Sequence, residues 1–374
     1  MPRSRPGAPV RRGVAVLAAV ALIPCVLAAT AVTFAARNGG PRAHARAALM
    51  RVDPALQPYR FGGRGAGAFN EPIPRGAHTD RRSGRVMARV LAGMRHERVA
   101  LVDRNGVPGM WLARRGDPWF TIRVGRARLR WQVPRGARPG GEHGSDAPMV
   151  IQDPRHPRYG SRVELRLWKA HLDRRHRRIT ARGYGIFRYG RRSDGFPLRG
   201  HGTGSGLPWA GLIRAWEVRR GVIRHALRMA ASGISRRHRP PARNSDQSHR
   251  SPLAMGMRFQ LSPRVNCASR TVPGRSPRSA ATRLLRMICV ALQRYGAIVV
   301  DGSGRTDLYT FEMELDRSAG GAVRWGRVLG RPPSGYWGNV IRDRRATGDG
   351  VRRVASTGIP WGRMRVLSRS VFSR

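Results

Sequence analysis

Residues 163–168 read Val-Glu-Leu-Arg-Leu-Trp, and residues 127–133 read Ala-Arg-Leu-Arg-Trp-Gln-Val. In both stretches an apolar residue stands at every second position, with arginine, glutamate or glutamine between. This period of two is typical of a strand that buries one face and turns the other to solvent. The two stretches therefore predict half-buried strands of an antiparallel sheet, with their arginines on the solvent side.

The rest of the chain extends this pattern and adds a few helices. Other apolar runs of strand length, separated by Gly and Pro, lie at 99–102, 119–124, 149–151 and 179–189. From Ser279 to Tyr295 the apolar residues recur at helical spacing, and Gly296 stands where a glycine commonly ends a helix. A shorter helix is expected near 216–230. The chain is thus predicted to be mainly β in the α+β class: an antiparallel β-sandwich or jelly-roll-like domain with a few packed helices, preceded by an N-terminal apolar helix.

The beginning of the chain indicates export. Residues 1–13 carry four arginines and no acid, and the 23 residues from 14 to 36 contain no charged side chain. At ~1.5 Å per residue, a helix of this length can cross the hydrocarbon core of a bilayer. A cleaved signal peptide usually has a shorter apolar stretch, so a signal anchor is favoured over a signal peptide.

These features divide the chain into four segments. They are a cytoplasmic basic segment (1–13), a signal anchor or signal peptide (14–36), a flexible linker (37–65) and an exported β-rich domain (66–374). The expected location is the cell membrane, with a single pass through residues 14–36 and an extracytoplasmic domain. Secretion is the alternative, and the oligomeric state is not predicted.

The exported part contains two of the three cysteines, Cys267 and Cys289. Outside the cytoplasm an even number of cysteines allows a disulfide. The sequence does not fix whether their Cα atoms come within the ~6 Å that a disulfide needs. A disulfide and two buried thiols therefore both stay open.

The charge is extreme and almost all of it is arginine. The chain has 72 basic and 21 acidic residues, a formal net charge of +51, and its one lysine is Lys169, which follows Trp168. A Walker A loop needs a lysine after glycine, so that class of nucleotide-binding protein is excluded. The scarcity of lysine favours a codon bias toward arginine over selection for charge. The functional alternative is an anionic partner: a nucleic acid, an acidic wall polymer or lipid headgroups. A nucleic acid is not expected because it conflicts with export, so the expected partner is a glycan or an anionic wall polymer.

Acidic residues are scarce, so each is a candidate for chemistry. Glu164 lies in a predicted strand four residues before Trp168, and Asp146 and Asp153 flank the preceding strand. In a sugar-processing site one carboxyl protonates the leaving oxygen, another attacks or activates water, and an indole stacks on the ring. Glu164, Asp153 and Asp146 are therefore candidate catalytic residues, with Trp168 as a substrate-binding residue. The alternative is that these carboxylates neutralise neighbouring arginines.

Two further residues are candidates. His225 could act as a general base, or it could be a core histidine bonded to the backbone. Asp301 stands before Gly302 at the end of a predicted strand and is a candidate substrate-binding residue; Arg305 argues against a calcium loop there. No His-Glu-x-x-His, Cys-x-x-Cys or Gly-x-Ser-x-Gly motif occurs, and neither a metal nor a cofactor is expected. Four tryptophans would offer sugar platforms if exposed and otherwise belong to the core: Trp111, Trp119, Trp131 and Trp209.

Five motifs stand out downstream. They are Ser-Gly-Leu-Pro at 205–208, Gly-Leu-Ile-Arg at 211–214, His-Ala-Leu at 225–227, Ala-Leu-Gln-Arg-Tyr-Gly-Ala-Ile-Val-Val-Asp at 291–301 and Ile-Pro-Trp at 359–361. As a set they resemble an uncharacterised family of exported, mostly actinobacterial β-rich proteins. The resemblance implies an extracytoplasmic location, a β-sandwich-like fold and a cell-surface or polysaccharide-related setting, and it implies no reaction.

Together these observations predict an exported, membrane-tethered protein of the cell envelope that binds a glycan. Binding is expected ahead of cleavage, and whether the protein is an enzyme stays open. The alternative is a non-enzymatic structural or adhesive protein that holds wall polyanions through its arginine surface. The two hypotheses differ in salt dependence, because adhesion by overall charge weakens uniformly as salt rises.

Overall fold

Strands provide most of the regular structure. A computed structural model describes residues 69–96, 98–103, 107–140, 146–189, 195–201, 204–302, 308–314, 325 and 358–369. The strands are β1 (Arg98–Asp103), β2 (Gly109–Leu112), β3 (Trp119–Val124), β4 (Ala127–Gln132), β5 (Met149–His156), β6 (Gly160–Trp168), β7 (His171–Asp173), β8 (Arg178–Thr180), β9 (Gly183–Arg188), β10 (Pro197–Gly200), β11 (Leu227–Ala231), β12 (Arg258–Leu261), β13 (Ala297–Gly302), β14 (Leu308–Glu312) and β15 (Met364–Val366). The helices of this part are α1 (Ser83–His96), α2 (Ala215–Arg220) and α3 (Ala280–Arg294), with a 3-10 turn at Trp361–Arg363. The predicted β-rich α+β class is confirmed.

These strands form three sheets. The six-stranded sheet has the order β1-β14-β11-β13-β12-β15, the five-stranded sheet β10-β9-β6-β5-β2 and the four-stranded sheet β4-β3-β8-β7. Each sheet is mixed, because the pairs β1–β14, β11–β13, β2–β5 and β3–β8 are parallel. The sequence predicted antiparallel pairing throughout. Alternation along a strand reports which face is buried and carries no information on the direction of its neighbours.

Apolar side chains form three cores around these sheets. Ile122 and Leu165 belong to a core shared by the four- and five-stranded sheets. Val150 and Ile298 belong to a second core, shared by the five- and six-stranded sheets. In the third core, Phe311 of the six-stranded sheet packs with residues of α1 and α3. The five-stranded sheet is therefore covered on both faces.

The two stretches that predict strands are confirmed as β4 and β6, and they differ in their polar positions. In β4 the arginines Arg128 and Arg130 are exposed, as the alternation predicts. In β6 the polar residues Glu164 and Arg166 are buried, at 0% and 4% exposure. The prediction of a solvent-facing side is wrong for β6, because a second sheet covers that side.

Local sequence signals explain the helices. The Ser279 side chain accepts a hydrogen bond from the Thr282 backbone N–H, which caps the start of α3. Gly296 follows α3 with a φ of 77°, and this left-handed conformation favours glycine. The predicted α3 is thus confirmed. The helix expected near 216–230 is shorter, because Gly221, at a φ of 76°, ends α2 and the chain then enters β11.

Cys267 and Cys289 form a disulfide, with their Cα atoms 5.6 Å apart. Cys289 lies on the buried side of α3, and Cys267 lies in the loop that follows β12. Of the two alternatives that the sequence left open, the structure contains the disulfide.

The expected anchor at 14–36 lies outside the described residues, as do the segments 1–13 and 37–65. Within the described ranges, each helix is too short or too polar to cross a bilayer.

Candidate functional site

Five charged side chains meet between the five- and six-stranded sheets. β6 presents Glu164 and Arg166, which are two residues apart and so share one face of their sheet. β11, β13 and β14 present Arg228, Asp301 and Glu312. The Arg166 guanidinium interacts electrostatically with each of the other four groups. We call these five residues the inter-sheet charge cluster.

The segment Leu207-Pro208-Trp209 lies between the two arginines of the cluster. Arg166 and Arg228 each donate a hydrogen bond to a carbonyl of this segment. The Trp209 backbone N–H donates in return to Glu164 Oε1 at 3.2 Å. The Cζ atoms of Arg228 and Arg166 lie 4.0 and 4.9 Å from the centroid of the Trp209 ring. Hydrogen bonds and cation–π contacts thus fix the position of both arginines.

The charges of the cluster shift the ionisation of its members. Arg228 and Glu312 form a buried ion pair, with 2.6 Å between Nε and Oε2. Burial and the nearby Arg228 charge lower the pKa of Arg166 to about 10. Burial, reinforced by the carboxylates of Glu312 and Asp246, raises the pKa of Asp301 to about 7 against the opposing effect of the two arginines. Asp301 can therefore gain or lose a proton near neutral pH.

The cluster comes nearest to solvent at Asp301. This residue is half-buried, although protein atoms surround its carboxyl group closely, whereas the other four members are buried. The Gln247 side chain lies against Gly302, the residue after Asp301. Its Nε2 donates a hydrogen bond of 2.8 Å to the exposed Asp246. We call Asp301, Asp246 and Gln247 the accessible end of the cluster.

Buried polar atoms of the cluster and of the adjacent 205–209 segment lack a hydrogen-bond partner among the described residues. They are Ser205 Oγ, Trp209 Nε1, Arg228 Nη2 and Glu312 Oε1. Ser205 lies beside the end of β13, because its backbone N–H donates to the Val300 carbonyl at 3.2 Å. A buried polar group without a partner costs about 1–3 kcal/mol. Water or ligand atoms are therefore expected to complete these hydrogen bonds.

Of the predicted site residues, Glu164 and Asp301 come together in the cluster, and Asp153 does not join them. Gln152 stands directly opposite Glu164 in the β5–β6 pair, so Asp153, one residue further, points to the other face of the sheet. There its Oδ1 accepts a hydrogen bond from the Arg155 backbone N–H at 2.8 Å. Glu164 and Asp153 therefore do not form the carboxylate pair that the sequence suggested.

Asp146 and Trp168 also lie away from the cluster. Asp146 is exposed just before β5. Trp168 follows Glu164 by four residues, which separates them by ~13 Å along β6. The Lys169 Nζ atom lies 5.0 Å from the centroid of the Trp168 ring. The predicted stacking of Trp168 beside the carboxylates is thus not seen.

His225 belongs to a separate buried pair. Its Nε2 lies 3.0 Å from Glu217 Oε2, and its Nδ1 lies 2.9 Å from the Ala226 carbonyl oxygen. Both neighbours are acceptors, so both contacts are satisfied when the imidazole carries two protons. Burial acts to lower the pKa of His225, but the Glu217 carboxylate outweighs it and raises the pKa above its ordinary value. Because Glu217 also accepts a hydrogen bond from the Arg214 backbone, the pair ties α2 to the chain before β11.

The sequence pattern does not single out the remaining members of the cluster, Arg166, Arg228 and Glu312. One signal was present: Glu164 and Arg166 are two residues apart on one strand, so a layer that buries one of these side chains also covers the other. The pattern could not show that a second sheet covers this face. Arg228 and Glu312 meet across β11 and β14, a contact that no local pattern encodes.

The described ranges contain no group of three or more His, Cys, Asp and Glu side chains arranged to hold a metal ion. No known protein-family model, curated protein or solved structure matches the chain. A function for this protein is therefore argued from its own geometry.

Proposed function

We propose that this protein is exported, tethered to the membrane of the cell envelope, and binds a glycan at the accessible end of the inter-sheet charge cluster. In this proposal residues 14–36 form the anchor, and the β-rich domain follows as a sandwich-like body outside the cytoplasm. The Cys267–Cys289 disulfide supports the location, because disulfides persist in oxidising compartments. A secreted form that has lost residues 14–36 would keep the same binding site.

The chemistry around Asp301 carries the proposal. The accessible end combines a carboxyl group, a carboxylate and an amide, which together donate and accept hydrogen bonds. A sugar, whose hydroxyl groups do both, needs such a mixed set. With a pKa of about 7, Asp301 offers a donor when protonated and an acceptor when ionised. Buried water can complete the hydrogen bonds of the unpaired polar atoms in the cluster and so hold its side chains in place.

Binding is the proposed activity, and hydrolysis is not. Hydrolysis of a glycosidic bond needs two carboxyl groups that flank that bond. Glu164 is fully buried, at 0% exposure, and its Oε1 accepts the hydrogen bond from Trp209. This position suits a residue that holds the 207–209 segment. Release of reducing sugar ends that the substitution Glu164→Gln abolishes would show that binding alone is the wrong assignment.

Glycan-array screening of the full-length chain in detergent tests the proposal. The double variant Asp246→Ala with Gln247→Ala changes surface side chains and should weaken binding of a captured glycan at least about tenfold, or ~1.4 kcal/mol. The matched variant Asp146→Ala removes an exposed acid outside the cluster and should leave binding unchanged. Absence of binding to every neutral and acidic glycan, or equal effects of the two variants, would refute the proposed site.

Adhesion through surface charge is the second candidate function. The exposed stretch Arg174-Arg175-His176-Arg177-Arg178 favours it, since four arginines and a histidine are exposed in the turn between β7 and β8 and at the start of β8. Adhesion of this kind weakens uniformly with salt and is insensitive to single substitutions. A sugar site persists in salt and fails when one contact residue changes, so a salt titration of the same variants separates the two functions.

A further inference from the structure

The four-stranded sheet turns one of its faces to solvent. Its other face packs into the core that it shares with the five-stranded sheet, through Phe120, Ile122 and Leu129. Residues at alternate positions of β3 and β4 point away from that core. We call the following six residues the outer face: Trp119, Thr121, Arg123, Arg128, Arg130 and Gln132.

The strand register places like charges side by side on the outer face. Arg123 stands directly opposite Arg128, and Thr121 stands opposite Arg130. On the other side of β3, Thr121 and Arg123 stand opposite Arg178 and another threonine of β8. Directly opposite side chains are ~5 Å apart at Cβ, and like charges at that distance destabilise a sheet. Within the sheet, Asp173 of β7 stands opposite Arg178, whereas no acidic residue stands opposite Arg123, Arg128 or Arg130.

Neighbouring carboxylates are engaged elsewhere. Asp173 lies on the far edge strand, β7, and its Oδ2 is 2.7 Å from His176 Nδ1. The Asp117 carboxylate accepts a hydrogen bond from the Arg114 backbone at 2.8 Å. Among the ion pairs of the described residues, none involves an arginine of the outer face. The outer face thus carries positive charge that an anionic ligand would neutralise.

Trp119 gives the outer face an aromatic ring. It is partly exposed, whereas the other three tryptophans considered as sugar platforms are buried: Trp111, Trp131 and Trp209. The Arg130 Cζ atom lies 5.5 Å from the centroid of the Trp119 ring. Across the pair of strands, Trp119 stands opposite Gln132, whose Nε2 donates to the Asp117 carbonyl at 3.1 Å. The Arg130 guanidinium therefore lies over the Trp119 ring, and the Gln132 amide lies on the neighbouring strand.

We propose that the outer face is a second contact surface, which binds an acidic polysaccharide with a sugar ring on Trp119 and acidic groups on Arg130 and Arg128. Guanidinium groups pair with carboxylates in bidentate geometry, and the indole covers the apolar face of a ring. Arg128 and Arg130 are ~7 Å apart along β4, so one extended anionic polymer that follows the strand can contact both guanidinium groups. The inference rests on the proposed glycan-binding function for its ligand class, and it uses no residue of the accessible end.

Binding of polygalacturonate to the full-length chain in detergent tests the inference. Polygalacturonate should bind, and its neutral carboxyl-reduced form should bind at least about tenfold more weakly at the outer face. Trp119→Ala should weaken the binding of polygalacturonate about tenfold. It should weaken the binding of polyphosphate, which has charge and no sugar ring, less than about twofold. Trp119→Phe should restore most of the affinity. A variant in which the three outer-face arginines Arg123, Arg128 and Arg130 are all replaced by glutamine should weaken the binding of both polymers.

A matched triple glutamine variant removes the same charge from exposed positions elsewhere: Arg219, Arg224 and Arg275. It should weaken polygalacturonate far less than the outer-face triple, and equal weakening would refute the outer face as a site. Thermal unfolding of each variant identifies a folding failure. If the triple variant does not fold, the inference is tested by the affinity of Trp119→Phe for polygalacturonate and by the salt dependence of wild-type binding. If the Asp246/Gln247 double variant abolishes binding and the outer-face variants do not change it, this inference fails and the proposed function stands. If polygalacturonate and every other glycan fail to bind, both fail.

Discussion

The β6 and β4 strands both place arginine at the polar positions of an alternating pattern, yet they put it in opposite surroundings. Arg166 of β6 is buried in an ionic cluster, and Arg128 of β4 is exposed opposite another arginine. The five-stranded sheet that contains β6 is covered on both faces, and the four-stranded sheet that contains β4 is covered on one. The presence of a covering layer, and not the sequence of the strand, therefore decides whether such an arginine is buried or exposed.

Two histidine–carboxylate pairs repeat this contrast. His225 and Glu217 are 3.0 Å apart, and their side chains are 3% and 1% exposed. His176 and Asp173 are closer, at 2.7 Å, but their side chains are 62% and 34% exposed. Solvent screens the second pair, while loss of one partner in the first leaves a buried charge uncompensated. Burial, and not distance, should rank the contributions of these pairs to stability.

Replacement of the interior arginine Arg228 should have the largest effect. Arg228→Met removes the partner of the Glu312 carboxylate and the cation over the Trp209 ring, so the free energy of unfolding should fall by about 3–5 kcal/mol. The matched change Arg128→Met on the outer face should leave it nearly unchanged. Urea unfolding of both variants measures the difference, and similar losses would show that the two arginines do not differ in environment.

Loss of the buried histidine should rank second. His225→Gln should lower the free energy of unfolding by about 1–3 kcal/mol, because Glu217 loses its charged donor. Since the folded pKa of His225 is raised, its contribution is fully present below the ordinary pKa of about 6.5 and is lost as pH rises through the folded value. The difference in the free energy of unfolding between wild type and His225→Gln should therefore shrink as pH rises, which urea unfolding between about pH 5 and about pH 9 measures. The exposed control His176→Gln should leave the free energy of unfolding nearly unchanged, because solvent screens its pair with Asp173.

Removal of the titrating carboxyl should have the smallest effect, and its sign depends on pH. Asp301 ionises near its ordinary value of 3.8 when unfolded and at about 7 when folded, so its contribution to stability is present at low pH and is lost as pH rises to 7. Asp301→Asn should therefore gain stability relative to wild type between pH 4 and pH 8, by about 1–2 kcal/mol once solvent screening is allowed for. Denaturant titrations at several pH values measure this gain. A difference that stays constant over this pH range would mean that the pKa of Asp301 is not raised by folding.

The elements of this fold could be predicted where their signals are local. Alternation gives β4 and β6, and the Ser279 cap and Gly296 bound α3. Strand direction and the stacking of layers could not be predicted, because they depend on contacts between residues far apart in the chain. The sequence analysis also predicted no helix at Ser83–His96, where α1 lies.

The candidate site follows the same division. Glu164 and Asp301 could be selected from the sequence because carboxylates are rare in so basic a chain. Their partners could not, since Arg166 and Arg228 each look like ordinary surface arginines until a second sheet covers them. Asp153 was grouped with Glu164 by proximity in sequence, but the register of β5 and β6 separates them onto opposite faces.

Arginine labelling of the folded full-length chain with a dicarbonyl reagent, followed by peptide mass spectrometry, tests the central contrast most directly. Arg128 and Arg130 should be modified rapidly, and bound polygalacturonate should slow their modification. Arg166 and Arg228 should stay unmodified until denaturant unfolds the chain. Modification of Arg166 and Arg228 in the folded protein at the rate of Arg128 would contradict the division of arginine between an inter-sheet cluster and an outer face.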